Sequence, residues 1–353
     1  MRWGLVLGGG GVLGGAWMVG ALSALQEVHG LDPRDAEMIV GTSAGSLMSA
    51  LLGAGVSTAE LRAHQLGEGA SSGPLAALEW DYETATGGST PSRPRLVPGS
   101  TGIVTRHVRR LRELPPTAVL AALTPEGRGS LATVGRLVHD VLAATGSDPN
   151  GWSAHRGVRI MVMDYDSGRR VAFGDEKMPS APLPEAVMAS CAIPGWYSPV
   201  VIDGVRYVDG GACSSTNVDV LAGHGLEHVF VLAPMVSFAM DHPSNLQARM
   251  ERAWRSRVTR RCLHEVDKLH ATGTEVTVVG PGPEDLRAIG ANLMAVERRR
   301  AVLDTAMHTT LAALRDPQPI EPDDRQRSSH HHDRWHPELE HDARAHTTLE
   351  DVG

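Results

Sequence analysis

The chain has 353 residues, of which 42% are hydrophobic and 21% are charged, a composition typical of a globular, water-soluble protein. Its net charge is −8, but residues 321–353 hold nine acidic residues and four arginines, which leaves −3 for residues 1–320. This nearly neutral body excludes a general nucleic-acid-binding role. The apolar content excludes disorder along the whole chain.

The amino-terminal segment is uncharged and rich in glycine. Thirteen of the 39 glycines lie in the first 55 residues, and residues 3–25 carry no charge. These 23 residues could span a bilayer or form a signal peptide, but eight are glycines, four of them in a row at Gly8–Gly11. The pattern instead predicts a buried strand over Trp3–Leu7, a glycine loop over Gly8–Gly15 and an apolar helix over Ala16–Val28.

The three cysteines bear on the cellular compartment. Cys191, Cys213 and Cys262 form no Cys-x-x-Cys pair and no disulfide framework. This pattern favours a reducing compartment, and we expect a cytoplasmic protein in which the cysteines are packing residues.

Strands and helices alternate along much of the chain. A second buried strand over Glu37–Val40 precedes a helix from about Ala44 to Leu52, which indicates an α/β fold with a parallel sheet. Residues 57–150 are loop-rich and predict an insertion or cap, with ordinary surface connections as the equal alternative. Further along we predict hairpin strands over Val158–Tyr165 and Arg170–Phe173, strands over Val229–Ala233 and Glu275–Val279, helices over Asn245–His270 and Asn292–Leu314, and a disordered, His-rich, acidic tail over 316–353.

The glycine loop matches a nucleotide-binding pattern. Residues Gly9 to Gly14 form G-x-G-x-x-G between a strand and a helix, as in dinucleotide-binding proteins. Such a site needs an acidic residue at the end of the second strand, and Gly41 follows that strand instead. The same loop can present backbone N–H groups beside a helix N-terminus and hold an oxyanion, which is the interpretation we favour.

A serine follows the second strand in a G-x-S-x-G motif. Gly41 to Gly45 carry Ser43 at the centre, and a nucleophile in such a tight turn needs very small neighbours two positions away. The alternative is that Ser43 caps the following helix. A serine nucleophile needs a base, and although downstream histidines are plentiful, none has a persuasive setting. A Ser-His-Asp esterase stays an alternative.

An aspartate precedes two glycines later in the chain. Asp209 follows a short apolar strand over Val200–Val208 and precedes Gly210 and Gly211. The glycines allow the close backbone approach that an aspartate needs to reach a serine. An Asp-Gly hairpin turn is the alternative.

The combination of these motifs resembles the patatin-like phospholipase family over roughly residues 3–235. The resemblance implies one three-layer α/β/α domain over residues 1–315, with a central, mostly parallel sheet. It is carried by four segments in the family's order: Gly8–Gly14, Gly41–Gly45, Ser190 to Pro194, and Asp209–Gly211.

The resemblance also implies a mechanism without histidine, metal or organic cofactor. Ser43 is the implied nucleophile and Asp209 its general base, and the implied substrate is a phospholipid or related acyl ester. Transient contact with a membrane surface is compatible with this activity. The implied oxyanion hole consists of the N–H groups of Gly9, Gly10 and Gly11, and the supporting motif glycines are Gly8, Gly14, Gly41, Gly45, Gly210 and Gly211.

One position departs from the family pattern. The family commonly has Arg or Lys before the last glycine of the loop, where this chain has Leu13. The lost positive charge weakens the stabilisation of an oxyanion or headgroup unless another residue supplies it. A catalytically weak or inactive lipid-binding protein is therefore a second hypothesis.

Two other patterns are weaker. His224 to His228 match the H-x-x-E-H zinc-protease pattern, but Gly225 at its centre indicates a helix C-cap before a strand. The predicted helix over Asn245–His270 is rich in arginine and could touch an anionic membrane, although a solvated basic face is the commoner explanation.

Overall fold

The computed structural model describes residues 1–69, 72–76, 78, 99–100 and 116–316. Its strands are β1 (Trp3–Leu7), β2 (Met38–Thr42), β3 (Val158–Asp164), β4 (Arg170–Phe173), β5 (Val200–Ile202), β6 (Val205–Asp209), β7 (His228–Leu232) and β8 (Glu275–Val279). Its α-helices are α1 (Gly11–His29), α2 (Ala44–Gly53), α3 (Thr58–Leu66), α4 (Pro116–Leu123), α5 (Ala132–Ala144), α6 (Leu183–Ser190), α7 (Leu246–His270), α8 (Pro283–Ile289) and α9 (Arg299–Arg315).

These strands form one mixed sheet in which hydrogen-bonded pairs follow the path β5-β6-β3-β2-β1-β7-β8, and β4 also pairs with β3. The pairs from β3 through β2, β1 and β7 to β8 are parallel, whereas β4, β5 and β6 pair antiparallel. Helices cover both faces, so the predicted α/β/α fold with a mostly parallel central sheet is confirmed.

The alternation of side chains along β1 separates two apolar layers. Leu5 and Leu7 belong to the layer that contains Trp17 of α1, whereas Val6 faces the layer that contains Val258 of α7. Successive residues of a strand point to opposite faces, and both faces are buried here. This explains why β1 is an uninterrupted apolar run.

The glycine-rich amino-terminal segment differs from the prediction at one boundary. The helix begins at Gly11, so the loop comprises only Gly8 to Gly10. Glycines inside α1 allow close packing, because a Cβ on Gly20 would lie 2.5 Å from the carbonyl oxygen of Leu303 in α9. Burial between the sheet and α9 thus outweighs the low helix propensity of glycine. In the described ranges, no helix combines the length and apolar character needed to cross a membrane.

Two other predicted elements also differ. The segment Val200–Val208 is a hairpin, because Asp203 and Gly204 turn the chain with φ values of 48° and 77°. Positive φ at both central residues is typical of a type I′ turn. The predicted helix over Asn292–Leu314 begins only at Arg299, after a short 3-10 turn.

The predicted insertion or cap is described only in part. Within it, Val138 and Leu142 of α5 are buried in the same apolar cluster as α1 and α6. Residues 70–71, 77, 79–98 and 101–115 lie outside the described part, as does the predicted tail from residue 317. The domain boundaries therefore stay a prediction.

Candidate active site

Two strands pair with the same edge of β3. The Ile39 N–H in β2 donates to the Gly157 carbonyl oxygen just before β3 (3.0 Å), and the Tyr165 N–H just after it donates to the Arg206 carbonyl oxygen in β6 (2.8 Å). Backbone N–H and C=O groups of every second residue point to the same edge of a strand. Because Gly157 and Tyr165 differ by an even number of positions, their backbone groups point to one edge of β3. Strands β2 and β6 consequently lie end to end along this edge.

The meeting point of these strands brings the predicted serine and aspartate together. Thr42, the last residue of β2, is opposite Met161, and Asp209, the last residue of β6, is opposite Val162. Ser43 directly follows Thr42. A parallel and an antiparallel strand thus deliver the two side chains to one break in the sheet.

The turn at Ser43 requires glycine on both sides. Ser43 has φ 54° and ψ −122°, a conformation that L residues rarely adopt. A Cβ on Gly41 would lie 2.4 Å from the Gly45 carbonyl oxygen, and one on Gly45 would lie 1.9 Å from the Leu7 carbonyl oxygen. Ser43 occupies the N-cap position of α2 but its side chain makes no capping hydrogen bond. Ser43 therefore does not cap the helix through its side chain, and its sharp strand-to-helix turn, which we call the elbow, has the shape expected for a nucleophilic serine.

A second serine holds the elbow to β3. The Ser43 N–H donates to Oγ of Ser190 (2.9 Å), and that hydroxyl donates to the Met161 carbonyl oxygen (2.7 Å). Ser190 is fully buried at the end of α6. The hydroxyl of Ser46 donates to the Ser43 carbonyl oxygen (2.6 Å). Both backbone groups of Ser43 are therefore fixed by serine side chains.

Asp209 is a buried carboxyl group beside Ser43. It is 6% exposed, and burial raises its pKa to about 6, although hydrogen bonding with the Ser43 side chain and the Gly211 N–H opposes the rise. The Gly211 N–H donates to Asp209 Oδ1 at 2.7 Å. Asp209 caps a short 3-10 helix over Gly210–Ala212, so the hairpin-turn alternative is wrong. No histidine of the described residues is among the groups that shift this pKa.

The glycine loop lies against Ser43 but offers fewer donors than predicted. A Cβ on Gly9 would lie 3.4 Å from the Ser43 Cβ. The Gly9 N–H donates to the Ser215 carbonyl oxygen (2.8 Å), so it is not available to an oxyanion. Among the described residues, the N–H groups of Gly10 and Gly11 have no acceptor. The predicted set of three donors is thereby narrowed to these two.

Residues after β7 support the loop from behind. A Cβ on Gly10 would lie 2.7 Å from Cγ of Pro234, so the proline ring packs directly on the loop. The Pro234 carbonyl oxygen accepts a hydrogen bond from Arg255, which is fully buried and pairs with Glu251. Sequence reasoning missed this support, because the residues are distant in the chain and match no motif.

The position of the expected basic residue lies inside the core. Leu13 is fully buried in the apolar layer of α1, and its N–H donates to the Leu293 carbonyl oxygen (2.9 Å). A charged side chain here would have to be buried among apolar groups, which is costly. Leucine is therefore suited to this site, and the chain has no basic group at the loop position itself.

A polar network also positions the strand before the serine. Asn217 donates through Nδ2 to Oγ1 of Thr42 (2.9 Å). The fully buried Glu265 accepts from the Thr216 hydroxyl (2.7 Å) and the Val218 N–H (3.0 Å). The loop that holds Asn217 is thus fixed to α7, and no local sequence pattern indicated this contact.

The H-x-x-E-H pattern does not lie on a helix. His228 begins β7, its Nε2 lies 2.9 Å from Oγ1 of Thr277, and burial lowers its pKa. Gly225 has φ 70° in the turn before this strand, after a 3-10 helix that ends at Leu221. Gly225 is therefore not the predicted helix C-cap.

A serine in a sharp strand-to-helix turn beside a carboxyl group, at the carboxyl end of a parallel sheet, is typical of hydrolases with an α/β fold. The family model described as patatin-like phospholipase matches residues 5–222, which is more than half of the chain, and the protein belongs to this family. The match agrees with the resemblance carried by the sequence motifs. Membership of the family implies lipid acyl hydrolase activity.

Two solved structures match the chain at low sequence identity. VipD from Legionella pneumophila is 13% identical, with a TM-score of 0.41 over 89% of this chain and 67% of the VipD chain. The type III effector protein ExoU is 16% identical, with a TM-score of 0.37 over 89% of this chain and 53% of the ExoU chain. The protein thus spans about half of the ExoU chain. No curated protein sequence matches it at a significant level.

Proposed function

We propose that the protein hydrolyses carboxylic ester bonds of lipids, with Ser43 as nucleophile and Asp209 as its only general base. The observation that carries the proposal is the juxtaposition of a strained, glycine-flanked serine and a buried carboxyl group whose pKa is raised to about 6. A carboxylate of ordinary pKa near 4 is a weak base for a serine hydroxyl. Burial makes Asp209 a stronger base, while it stays ionised near neutral pH.

The first step is acylation of the serine. Asp209 accepts the Ser43 hydroxyl proton as Oγ attacks the ester carbonyl carbon and forms a tetrahedral intermediate. When the carbon–oxygen bond to the leaving alcohol breaks, the protonated Asp209 returns that proton to the alcohol. The products are the free alcohol and an acyl group on Ser43.

The second step is hydrolysis of the acyl-serine. Asp209 accepts a proton from a water molecule as its oxygen attacks the acyl carbonyl carbon. Collapse of the second tetrahedral intermediate expels the Ser43 oxygen, which takes the proton back from Asp209. The fatty acid is released and the enzyme returns to its starting state.

In each tetrahedral intermediate the substrate carbonyl oxygen becomes negatively charged, and hydrogen-bond donors of the glycine loop would stabilise this charge. The free N–H groups of Gly10 and Gly11 are suited to this role, because they lie at the N-terminus of α1 next to Gly9, which packs on Ser43. Helix N-termini favour negative charge, and α2 also begins directly after Ser43. Two helix dipoles and two N–H donors then replace the basic residue that the loop lacks.

The test is hydrolysis of a short-chain p-nitrophenyl ester by the wild type, Ser43→Ala and Asp209→Asn. We expect both variants to lose at least about 10³-fold in kcat, since the two groups act as a unit. Ser49→Ala is the matched control, because Ser49 is a buried serine of the same helix. Equal rates in the wild type and both dyad variants would contradict the proposal.

Individual histidine substitutions separate this mechanism from a Ser-His-Asp esterase. The dyad mechanism predicts that no single histidine is essential, whereas the triad predicts that one is. Absence of turnover in the wild type on any acyl ester would instead favour the lipid-binding hypothesis. The cytoplasmic location stays a prediction.

A further inference from the structure

The amino-terminal half of α7 exposes large apolar side chains to solvent. Leu246 is 71% exposed and Met250 is 66% exposed, among the highest values for large apolar residues in the described part of the chain. They are four positions apart and therefore neighbours on one side of the helix. The two side chains do not contribute to the core, so their exposure calls for another explanation.

The same side of the helix is positively charged. Arg249, Arg257 and Arg260 are exposed there. Leu246, Arg249, Met250, Arg257 and Arg260 together are named the outer face of α7.

The acidic residue of this half points inward. Glu251 is the single carboxylate between Leu246 and Arg260, and its side chain is 12% exposed. It pairs with Arg252 and Arg255, which are both buried. Of the arginines up to Arg260, two are therefore buried against Glu251, and the three on the outer face have no carboxylate beside them on the helix.

The direction of α7 places this surface on the catalytic side of the sheet. The helix connects the end of β7 to the beginning of β8, and these strands are parallel and adjacent. Such a connecting helix runs back along the sheet, so its N-terminus lies at the carboxyl ends of the strands. Ser43 also follows the carboxyl end of a parallel strand, β2, and only β1 lies between β2 and β7.

We propose that the outer face of α7 docks the protein onto an anionic lipid bilayer and thereby presents the site at Ser43 to the membrane. The proposal rests on the proposed function in that a lipid hydrolase must meet its substrate at a bilayer. Apolar side chains enter the acyl boundary while flanking arginines pair with lipid phosphates, as in interfacial amphipathic helices. Each arginine near an anionic surface adds to the affinity, which favours a charged bilayer over a neutral one.

Sedimentation with vesicles tests the proposal directly. All proteins carry Ser43→Ala, so the lipid is not consumed, and the vesicles contain equal parts phosphatidylglycerol and phosphatidylcholine, or phosphatidylcholine only. We expect binding to the anionic vesicles that falls roughly ten- to thirty-fold for Arg249→Gln with Arg257→Gln. Leu246→Ser with Met250→Ser is expected to lose about ten-fold or more through reduced apolar burial.

The matched control removes two arginines elsewhere. Arg136 lies on α5 and Arg156 precedes the amino end of β3, and both are exposed. Arg136→Gln with Arg156→Gln changes the net charge equally and is expected to bind like the parent. Equal losses for both arginine pairs, or undiminished binding of both outer-face pairs, would overturn the proposed surface.

A second readout keeps this test distinct from the test of the dyad. With Ser43 restored, both outer-face pairs are expected to hydrolyse the short-chain ester at the wild-type rate and melt at the wild-type temperature. Failure of the wild type to hydrolyse any ester contradicts the proposed function but leaves the vesicle result as evidence on the docking surface. A drop in short-chain ester hydrolysis for the outer-face pairs would overturn the view that they act only in docking.

Discussion

The backbone N–H of Ser43 donates to the side-chain oxygen of Ser190 at 2.9 Å, although the two residues belong to distant parts of the chain. Ser190 in turn donates to the Met161 carbonyl oxygen of β3. A single buried hydroxyl therefore connects the elbow to the strand along which Asp209 is also aligned. The contact accounts for the serine in the motif that runs from Ser190 to Pro194.

Replacement of Ser190 by alanine is predicted to affect both stability and rate. It leaves the Ser43 N–H without its acceptor, which is expected to cost about 1–3 kcal/mol of unfolding free energy. A shifted elbow is expected to lower kcat on the order of 10²-fold. Urea unfolding and ester hydrolysis measure the two effects. Ser49→Ala is the control, since in the described part the Ser49 hydroxyl has no hydrogen-bond partner, and equal behaviour of the two variants would refute the role of Ser190.

Gly45→Ala is predicted to prevent normal packing of α2 against β1. Its Cβ would lie 1.9 Å from the Leu7 carbonyl oxygen, and a backbone atom cannot move aside as a side chain can. We expect a loss of about 3 kcal/mol in unfolding free energy, measured by denaturant titration. Gly69→Ala is the control, because no atom lies within 4 Å of its added Cβ. Equal stability of the two variants would show that the tight approach is not required.

The pH dependence of ester hydrolysis is predicted to report the ionisation of Asp209. Its pKa is raised to about 6 by burial, and only the ionised form can accept the serine proton. The value of kcat/KM is expected to rise about ten-fold per pH unit below pH 6 and to level off above it. A pH–rate profile with its acid limb near pH 4, the ordinary value for an aspartate, would be inconsistent with a desolvated base.

The same raised pKa predicts that Asp209→Asn stabilises the protein at neutral pH. The folded carboxyl has a pKa of about 6, against 3.8 for the free group, so the native state binds the proton more tightly. Wild-type stability is therefore expected to fall as the pH rises from about 4 to about 6, by about 3 kcal/mol. Urea unfolding at pH 4 and at pH 7.5 measures the unfolding free energies of the wild type and of Asp209→Asn. The gain from the asparagine should appear only at the higher pH, and a pH-independent difference would contradict this ionisation.

Local patterns in the sequence predicted the elements that frame the site. The apolar run of β1 was predicted with its observed bounds, because a strand buried on both faces is short and uninterrupted. The bounds of β8 were also predicted correctly, although this strand lies at the edge of the sheet and is only partly buried. The G-x-S-x-G pattern indicated the turn at Ser43, because only glycine fits two positions away. The hairpin at Asp203 and Gly204 was missed although an Asp-Gly pair between apolar residues is the usual indication of such a turn.

Contacts between residues distant in the chain could not be predicted from local sequence patterns. The Gly9 N–H donates to the Ser215 carbonyl oxygen, because the segment after Asp209 folds over the glycine loop. This hydrogen bond removes Gly9 from the candidate oxyanion donors. The helix start at Gly11 was also mispredicted, because Gly11 packs on Leu293 and Gly14 packs on Pro234, contacts that are distant in the chain. The end-to-end arrangement of β2 and β6 on β3 likewise follows from the whole sheet.

The most direct test of the central claim is to find the acyl group on Ser43. The wild type is mixed with a p-nitrophenyl ester, quenched in acid during the first turnover, digested and analysed by peptide mass spectrometry. We predict an added acyl mass on the peptide that contains Ser43, which is absent in Ser43→Ala and strongly reduced in Asp209→Asn. An acyl adduct on a different residue, or turnover by Ser43→Ala at the wild-type rate, would contradict the Ser43–Asp209 mechanism.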